Sequence, residues 1–377
     1  MKLKIALACF LSSLLFSQAG EKVFIACNTV GIRVADFDSE TGVLSPVTEA
    51  LSLPSVGFIA LHPEKPLMYA TCDTEGKKGE NGAIAALTIL ENGTLDVLNR
   101  SLIQSSSACH VSVDATGKVV FAASYGGGSV ASFQIEKDGS LSEAVSVIEH
   151  EGSSVIASRQ SSPHAHYFAT GPKNKFAYAP DLGLDEVVIY RFDSETAELT
   201  ASGAGKLEGG AGPRHMKFSK DGQFAHVLNE LNLTVTTFRY DEKDGSLSEV
   251  ATISAVPEDV SKEKMSCAEI VVHPSGQFVY TSQRDLETRG EGSPMGRNSL
   301  SVYRVTEEGT LQRIQTVSAG VRIPRNFNLD PSGKWLLAGG QFSHDIQVFA
   351  IDSKTGKLAA QGEPVECPGR PICFVFR

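Results

Sequence analysis

"GAGPRHMKFSKDGQFAHVLNELNLTVTTFRYD", residues 210–241, decides the fold. It holds a short alternating run at 213–218, a polar turn around Lys220-Asp221-Gly222, a second run at 224–229 and a third at 234–240. Period-two alternation between Gly, Asp, Asn and Pro punctuation predicts antiparallel strands. The same order recurs along the chain. Turn signals begin at His62, Asp114, Pro172, Lys220, His273 and Asp330, at intervals of 52, 58, 48, 53 and 57 residues. Runs such as "CHVSV", "AEIVV" and "RNFNL" precede them. Second runs such as "VVFAAS", "FVYTSQ" and "WLLAGG" follow, then third runs such as "SVASFQI" and "DIQVFAI", and a turn of the type "KDGSL" or "EEGTL".

A period near fifty residues carrying four strands is that of a propeller blade. Six copies are complete. N-terminal "KVFIACN" and "IRVADFD" match a second and a third strand, and C-terminal "GRPICFVFR" matches a first. The two ends are therefore expected to build a seventh blade together, which removes the free sheet edges of a linear array. The prediction is an all-β, seven-bladed propeller forming one domain over residues 20–377.

Composition excludes other classes. With 41% hydrophobic and 21% charged residues the chain is an ordinary globular one. Its 34 basic and 44 acidic side chains give a net charge of −10, which repels phosphate backbones, so nucleic acid is not an expected partner. Residues 1–19 combine Lys2 and Lys4, an apolar stretch through Phe16 and a small-residue end. That is the layout of an export signal, and the mature chain is expected to be periplasmic or extracellular. Nothing further along is apolar enough for a membrane span. Beyond that segment six cysteines, at 27, 72, 109, 267, 367 and 373, lack the close spacing of a zinc or redox site; they read as small buried hydrophobes. Asn92 and Asn232 head glycosylation sequons. The sequence carries no signal for the oligomeric state.

Blade geometry gathers distant residues. Two strands of about six residues joined by a tight turn bring positions i and i+16 to the same end of a hairpin. Arg214 and Glu230 form such a pair, and so do Arg325 and Gln341. The same spacing sets Cys109-His110 near Tyr125, His164 and His166 near Asp181, and Glu269 near Arg284. All fall on one rim of the central channel, and a concave mouth lined by His, Arg and Glu is the candidate ligand site. The opposite rim reads as turn residues and solvated lysines, with His62 and His273 as structural turn residues. The long segment 284–300, "RDLETRGEGSPMGRNSL", reads as a flap that brings Arg289 or Arg297 over the mouth, or as a plain surface loop.

These residues resemble a known family. "GAGPRHMKFSKDGQFAHVLNE", "SSPHAHYFATGPKNKFAYAPDLGLDEVVIY", "FVYTSQRDL" and "PRNFNLDPSGKWLLAGGQFSHDIQVF" are similar to the seven-bladed lactonases, which include propeller-type 6-phosphogluconolactonases and carboxymuconate-lactonizing enzymes. The resemblance spans nearly all of the chain after residue 19. It implies a catalytic set of His164, Arg214, Glu230 and Arg284. His110, His166, Asp181, Asn229, Arg325 and Gln341 are the expected substrate-binding residues. No metal and no cofactor is implied.

The residue types suit lactone opening, in which a base activates water and donors receive the developing oxyanion. Glu230 or His164 is the candidate base, and Arg214 and Arg284 hold the oxyanion or a substrate anion. No G-x-S-x-G elbow appears, so a covalent acyl-enzyme is not indicated. The expected partner is a small sugar lactone, phosphorylated or not. Two other readings stand beside this one: a non-enzymatic scaffold in which Arg214 and Glu230 form a structural ion pair, and a muconate-type lactonizing enzyme.

Overall fold

The structure, a computed structural model, describes residues 20–53, 55–74, 82–290 and 292–377. The expected export signal at 1–19 lies outside them. Six sheets of four antiparallel strands follow one another in chain order, and each runs from an inner strand to an outer one. The seventh sheet joins the ends: Pro371–Phe376 pairs with Glu21–Cys27, which pairs with Gly31–Asp38. Lys22 and Arg377 exchange backbone hydrogen bonds of 2.8 Å in both directions, so the ring is closed. The outer strand of this blade is split into Val43–Leu44 and Thr48–Leu51, both on Gly31–Asp38. In the third blade the inner strand is reduced to Ala169–Thr170, with an isolated bridge from Ala165 to Asp181.

Burial explains the sequence pattern. Second strands such as Val119–Ser124, Phe224–Asn229 and Phe278–Asp285 are buried along their whole length, because neighbouring blades cover both faces. Outer strands such as Leu199–Lys206 and Leu358–Glu366 are mostly exposed. The "KDGSL" turns dock one blade on the next. Tyr178 donates from its hydroxyl to Gly245 O at 2.9 Å, and the same contact joins Tyr280 to Gly356 and Tyr69 to Gly139. Gly245, at φ +80°, lies so close to Phe176 that a Cβ there would sit 2.6 Å from the ring.

A repeated irregularity positions the site. Five inner strands carry a bulge near the same end: Ala108/His110 on Ala123–Ser124, Pro213/His215 on Leu228–Asn229, Cys267/Ile270 on Thr281–Gln283, Pro324/Asn326 on Gly339–Gly340 and Pro371/Cys373 on Ala26–Cys27. The extra residues are Cys109, Arg214, Ala268, Arg325 and Ile372. The third blade shows the same one-residue shift between its Ala165 bridge and its strand, and His166 takes the equivalent place. A bulge breaks the alternation of side chains, so two successive residues turn toward the channel. Below the bulge the register equates Ala60, Ser112, Ala169, Lys217, Val271, Asn328 and Val375, opposite Tyr69, Phe121, Tyr178, His226, Tyr280, Leu337 and Phe24.

Candidate active site

Two blade positions feed the channel mouth: the bulge residue, and the residue just beyond the second strand. In the fourth blade these are Arg214 and Glu230, sixteen apart as the hairpin spacing predicts. Gly212 makes the approach possible. At φ +64° it accepts at its carbonyl from Glu230 N, 2.7 Å away, and a Cβ there would collide with Leu231 at 2.4 Å. Asp185 fixes this loop, since its carboxylate accepts from Gly210 N and Gly212 N at 2.6 Å and from the Ser154 hydroxyl at 2.5 Å.

Glu230 is the hub. Its Oε2 receives Arg214 Nε and Arg284 Nη2, both at 3.1 Å, and its Oε1 receives Arg159 Nη2 at 2.9 Å. Arg214 also donates to Ala268 O at 2.5 Å and Arg284 to Cys267 O at 2.8 Å. Arg159 donates to the Tyr125 hydroxyl at 3.2 Å. It comes from the short helix Ala157–Gln160 between the second and third blades, which Gln160 pins by donating to Leu182 O.

A cavity of about 530 Å³ opens over this cluster, lined by Tyr125, Arg159, His166, Glu230, Arg284, Arg289 and Arg325 among others. Four arginines and one carboxylate give the lining a net charge of +3 when histidine is neutral. Arg325 has no side-chain hydrogen bond or ion pair among the described residues, so its guanidinium is left to the cavity. Burial, then the charges of Arg214 and Arg284, push its pKa down to about 9, which leaves it cationic at neutral pH. Burial and Arg284 likewise push Arg214 down to about 10. Burial works to raise the Glu230 pKa. The guanidinium groups of Arg284, Arg214 and Arg159 outweigh it and hold the carboxyl well below the usual range.

His166 is held neutral, chiefly by burial and then by Arg214. Its Nδ1 is buried without a partner, so Nε2 is the nitrogen left for the cavity. Beneath it lies a layer of imidazoles, with ring centroids 5.3 Å apart for His166 and His215 and 5.5 Å for His215 and His110. His215 donates from Nδ1 to Glu269 Oε1 at 2.9 Å.

Of the expected site residues, the structure brings His166, Glu230, Arg284 and Arg325 together on the cavity wall, with Arg214 directly behind Glu230. His164 stands beside them rather than on the wall. Its ring stacks on Tyr125 at 4.4 Å, and its Nδ1 donates to Tyr125 O at 2.8 Å. Asp181 is a buried support whose oxygens take His164 N at 2.7 Å, Gly183 N at 2.9 Å and His150 Nδ1 at 2.7 Å. Asn229 is also behind the wall, donating to Thr234 and Thr236. Gln341, a half-buried residue, does not reach the cavity lining. His110 belongs to a separate cavity below the imidazole layer. In the flap, Leu286–Arg289 is a single helical turn that brings Arg289 to the cavity. Arg297 is instead clamped to Asp285 at 2.9 Å and Glu287 at 3.3 Å. The sequence pattern does not single out Arg159 or Asp185, because they sit in a four-residue helix and a turn that carry no periodic signal.

Comparison with known proteins agrees with the seven-bladed fold. Residues 22–376 match the family model described as lactonase, 7-bladed beta-propeller. A 6-phosphogluconolactonase of Bacillus subtilis is 32% identical over 348 residues, 92% of this chain and 94% of its own. One from Formosa agariphila is 27% identical over 333 residues, 87% of this chain and 90% of its own. The solved periplasmic gluconolactonase of Pseudomonas aeruginosa superposes with a TM-score of 0.86 at 26% identity, covering 94% of this chain and 98% of that one.

Proposed function

The chain belongs to the seven-bladed β-propeller lactonase family and is a lactone hydrolase, and from that premise we propose that its substrate is an anionic sugar lactone of the 6-phosphogluconolactone class. One observation carries this reading: the +3 charge of the cavity lining, in which the Arg325 side chain has no hydrogen bond or ion pair among the described residues. A neutral sugar lactone leaves that charge unmet, whereas a phosphoryl group suits the fork of a guanidinium.

In this reading Arg325 and Arg289 receive the phosphoryl group, and Arg284 faces the lactone carbonyl, where a positive donor stabilises the oxyanion that forms as water adds. Glu230 has both carboxylate oxygens engaged by guanidinium groups, which leaves neither free to take a proton from water. Its part is to fix Arg214, Arg284 and Arg159 in one array. His166, neutral and with Nε2 toward the cavity, takes the proton of the attacking water and returns it to the ring oxygen as the ester bond breaks. The export expected from residues 1–19 would set this reaction outside the cytoplasm.

The test compares initial rates of purified protein on 6-phosphogluconolactone and on glucono-lactone. The expected result is a kcat/KM at least about a hundredfold higher for the phosphorylated lactone, in line with charge-assisted contacts worth about 3 kcal/mol. Equal rates would refute the assignment of the charge.

A further inference from the structure

The channel contains a second cavity that hydrolysis does not use. It measures about 310 Å³, lies below the imidazole layer, and shares no lining residue with the upper one. Half-buried Leu61, Val113, Val271 and Val375 form much of its outer wall. Nearer the layer its surface is aromatic: His110 lies between Phe58 and Tyr167, with ring centroids 4.3 Å away on each side.

Its polar groups can be followed to their partners. Glu269 Oε1 takes His215 Nδ1 and Ile270 N, both at 2.9 Å, and Oε2 takes the Asn326 amide. The Asn326 oxygen accepts from Phe374 N at 3.1 Å. Asn328 donates to Phe374 O and accepts from Leu329 N, and the Ser112 hydroxyl donates to Phe168 O. What is left is a set of donors. His110, 2% exposed, accepts Phe168 N at Nδ1, so its proton resides on Nε2, which has no hydrogen-bond partner among the described residues. The Lys217 ammonium lies 5.2 Å from the centre of the Tyr167 ring, with the Tyr167 hydroxyl as its polar neighbour, and among the described residues no carboxylate forms an ion pair with it. Burial opposes its charge, but Tyr167 and Glu269 more than offset that, and its pKa lies above the ordinary lysine value.

The lysine is not something the blade requires. At its level the other six blades present Ala60, Ser112, Ala169, Val271, Asn328 and Val375, none of them charged. One cation and one N–H donor in an apolar and aromatic sleeve, where the Glu269, Asn326 and Asn328 side-chain oxygens are already engaged, are complementary to an acceptor-only head on an apolar body. We infer that the lower cavity binds a small monocarboxylate with an apolar body, its carboxylate on Lys217 and His110 and its body against Phe58 and Tyr167.

Benzoate is the probe. In calorimetric titrations of the purified protein, it is expected to saturate one site, and neutral benzamide is expected not to bind. Lys217→Met should weaken benzoate roughly ten- to hundredfold, the range of a charge-assisted hydrogen bond. Arg325→Met, in the upper cavity, should leave it unchanged. His110→Phe gives an independent check, with a smaller loss expected, should Lys217→Met fail to fold. Full affinity in both lower-cavity variants, loss of binding in Arg325→Met, or no saturable binding to the folded wild type would overturn the inference.

Discussion

Replacing Glu230 with glutamine tests the electrostatic hub. The substitution keeps the shape and one acceptor oxygen but removes the charge that three guanidinium groups share at 2.9–3.1 Å. Arg214 and Arg284 are each only 2% exposed, so neither can turn to water for compensation. Leaving a buried charge without its partner costs about 3–5 kcal/mol. For a domain of this size that corresponds to a fall in Tm of roughly 5–10 °C. The sign of the pH dependence follows from the depressed pKa of Glu230. Its contribution is complete above the unfolded carboxyl value of about 4.3 and is lost as pH falls toward the folded value. The difference between wild type and Glu230→Gln should therefore be constant from pH 5 to 8 and shrink below about pH 4. Adding Arg214→Met removes one unneutralised cation and should recover part of the loss, with a coupling of at least about 1 kcal/mol. Scanning calorimetry of the three proteins decides it. A Glu230→Gln protein that melts with the wild type, or two substitutions that add without coupling, would refute the shared-charge account.

Three further outcomes follow from the same structure. Because burial and Arg214 hold His166 far below the ordinary histidine pKa, kcat/KM should show no acid limb between pH 6 and 7; such a limb, absent in His166→Asn, would contradict the assigned environment. His166→Asn should lower kcat by about 10²–10⁴, the range of general-base catalysis, while His164→Asn, whose ring packs on Tyr125, should cost far less; equal losses would shift the proton transfer toward His164. The Cys27 and Cys367 sulfurs lie 3.6 Å apart in the core of the blade that closes the ring, so a mild thiol oxidant should join them. Intact mass and peptide mapping should show a loss of two hydrogens at that pair and a higher Tm than for Cys27→Ser, whereas a bridge elsewhere would contradict the packing.

The repeat made the architecture legible. Turn signals at near-constant spacing mark hairpins, hairpin length fixes which residues meet, and the offset of sixteen placed Arg214 on Glu230. Side-chain direction near the bulges was not legible. Strict alternation would send Arg214 and His215 to opposite faces, but the inserted residue turns both toward the channel, one to Glu230 behind the wall of the upper cavity and one to the imidazole layer. The same insertion separates His166 on the cavity wall from His164 beside Tyr125, a choice the spacing of two could not make. Lysines on the far side read as solvated, and Lys217 shows the limit of that rule, since its place in the inner strand sets it in a cavity. Arg159 was beyond reach because a four-residue helix in an irregular loop leaves no periodic trace.

The central claim is that Arg325 lies free in the mouth to hold the substrate anion. Initial rates of Arg325→Met on 6-phosphogluconolactone test it most directly, together with the variant's melting temperature. The account predicts that kcat/KM falls by about 10²–10³ while Tm does not fall, because a guanidinium with no hydrogen bond or ion pair among the described residues adds little to the fold. Unchanged kcat/KM, or a loss of activity matched by a loss of stability, would contradict it.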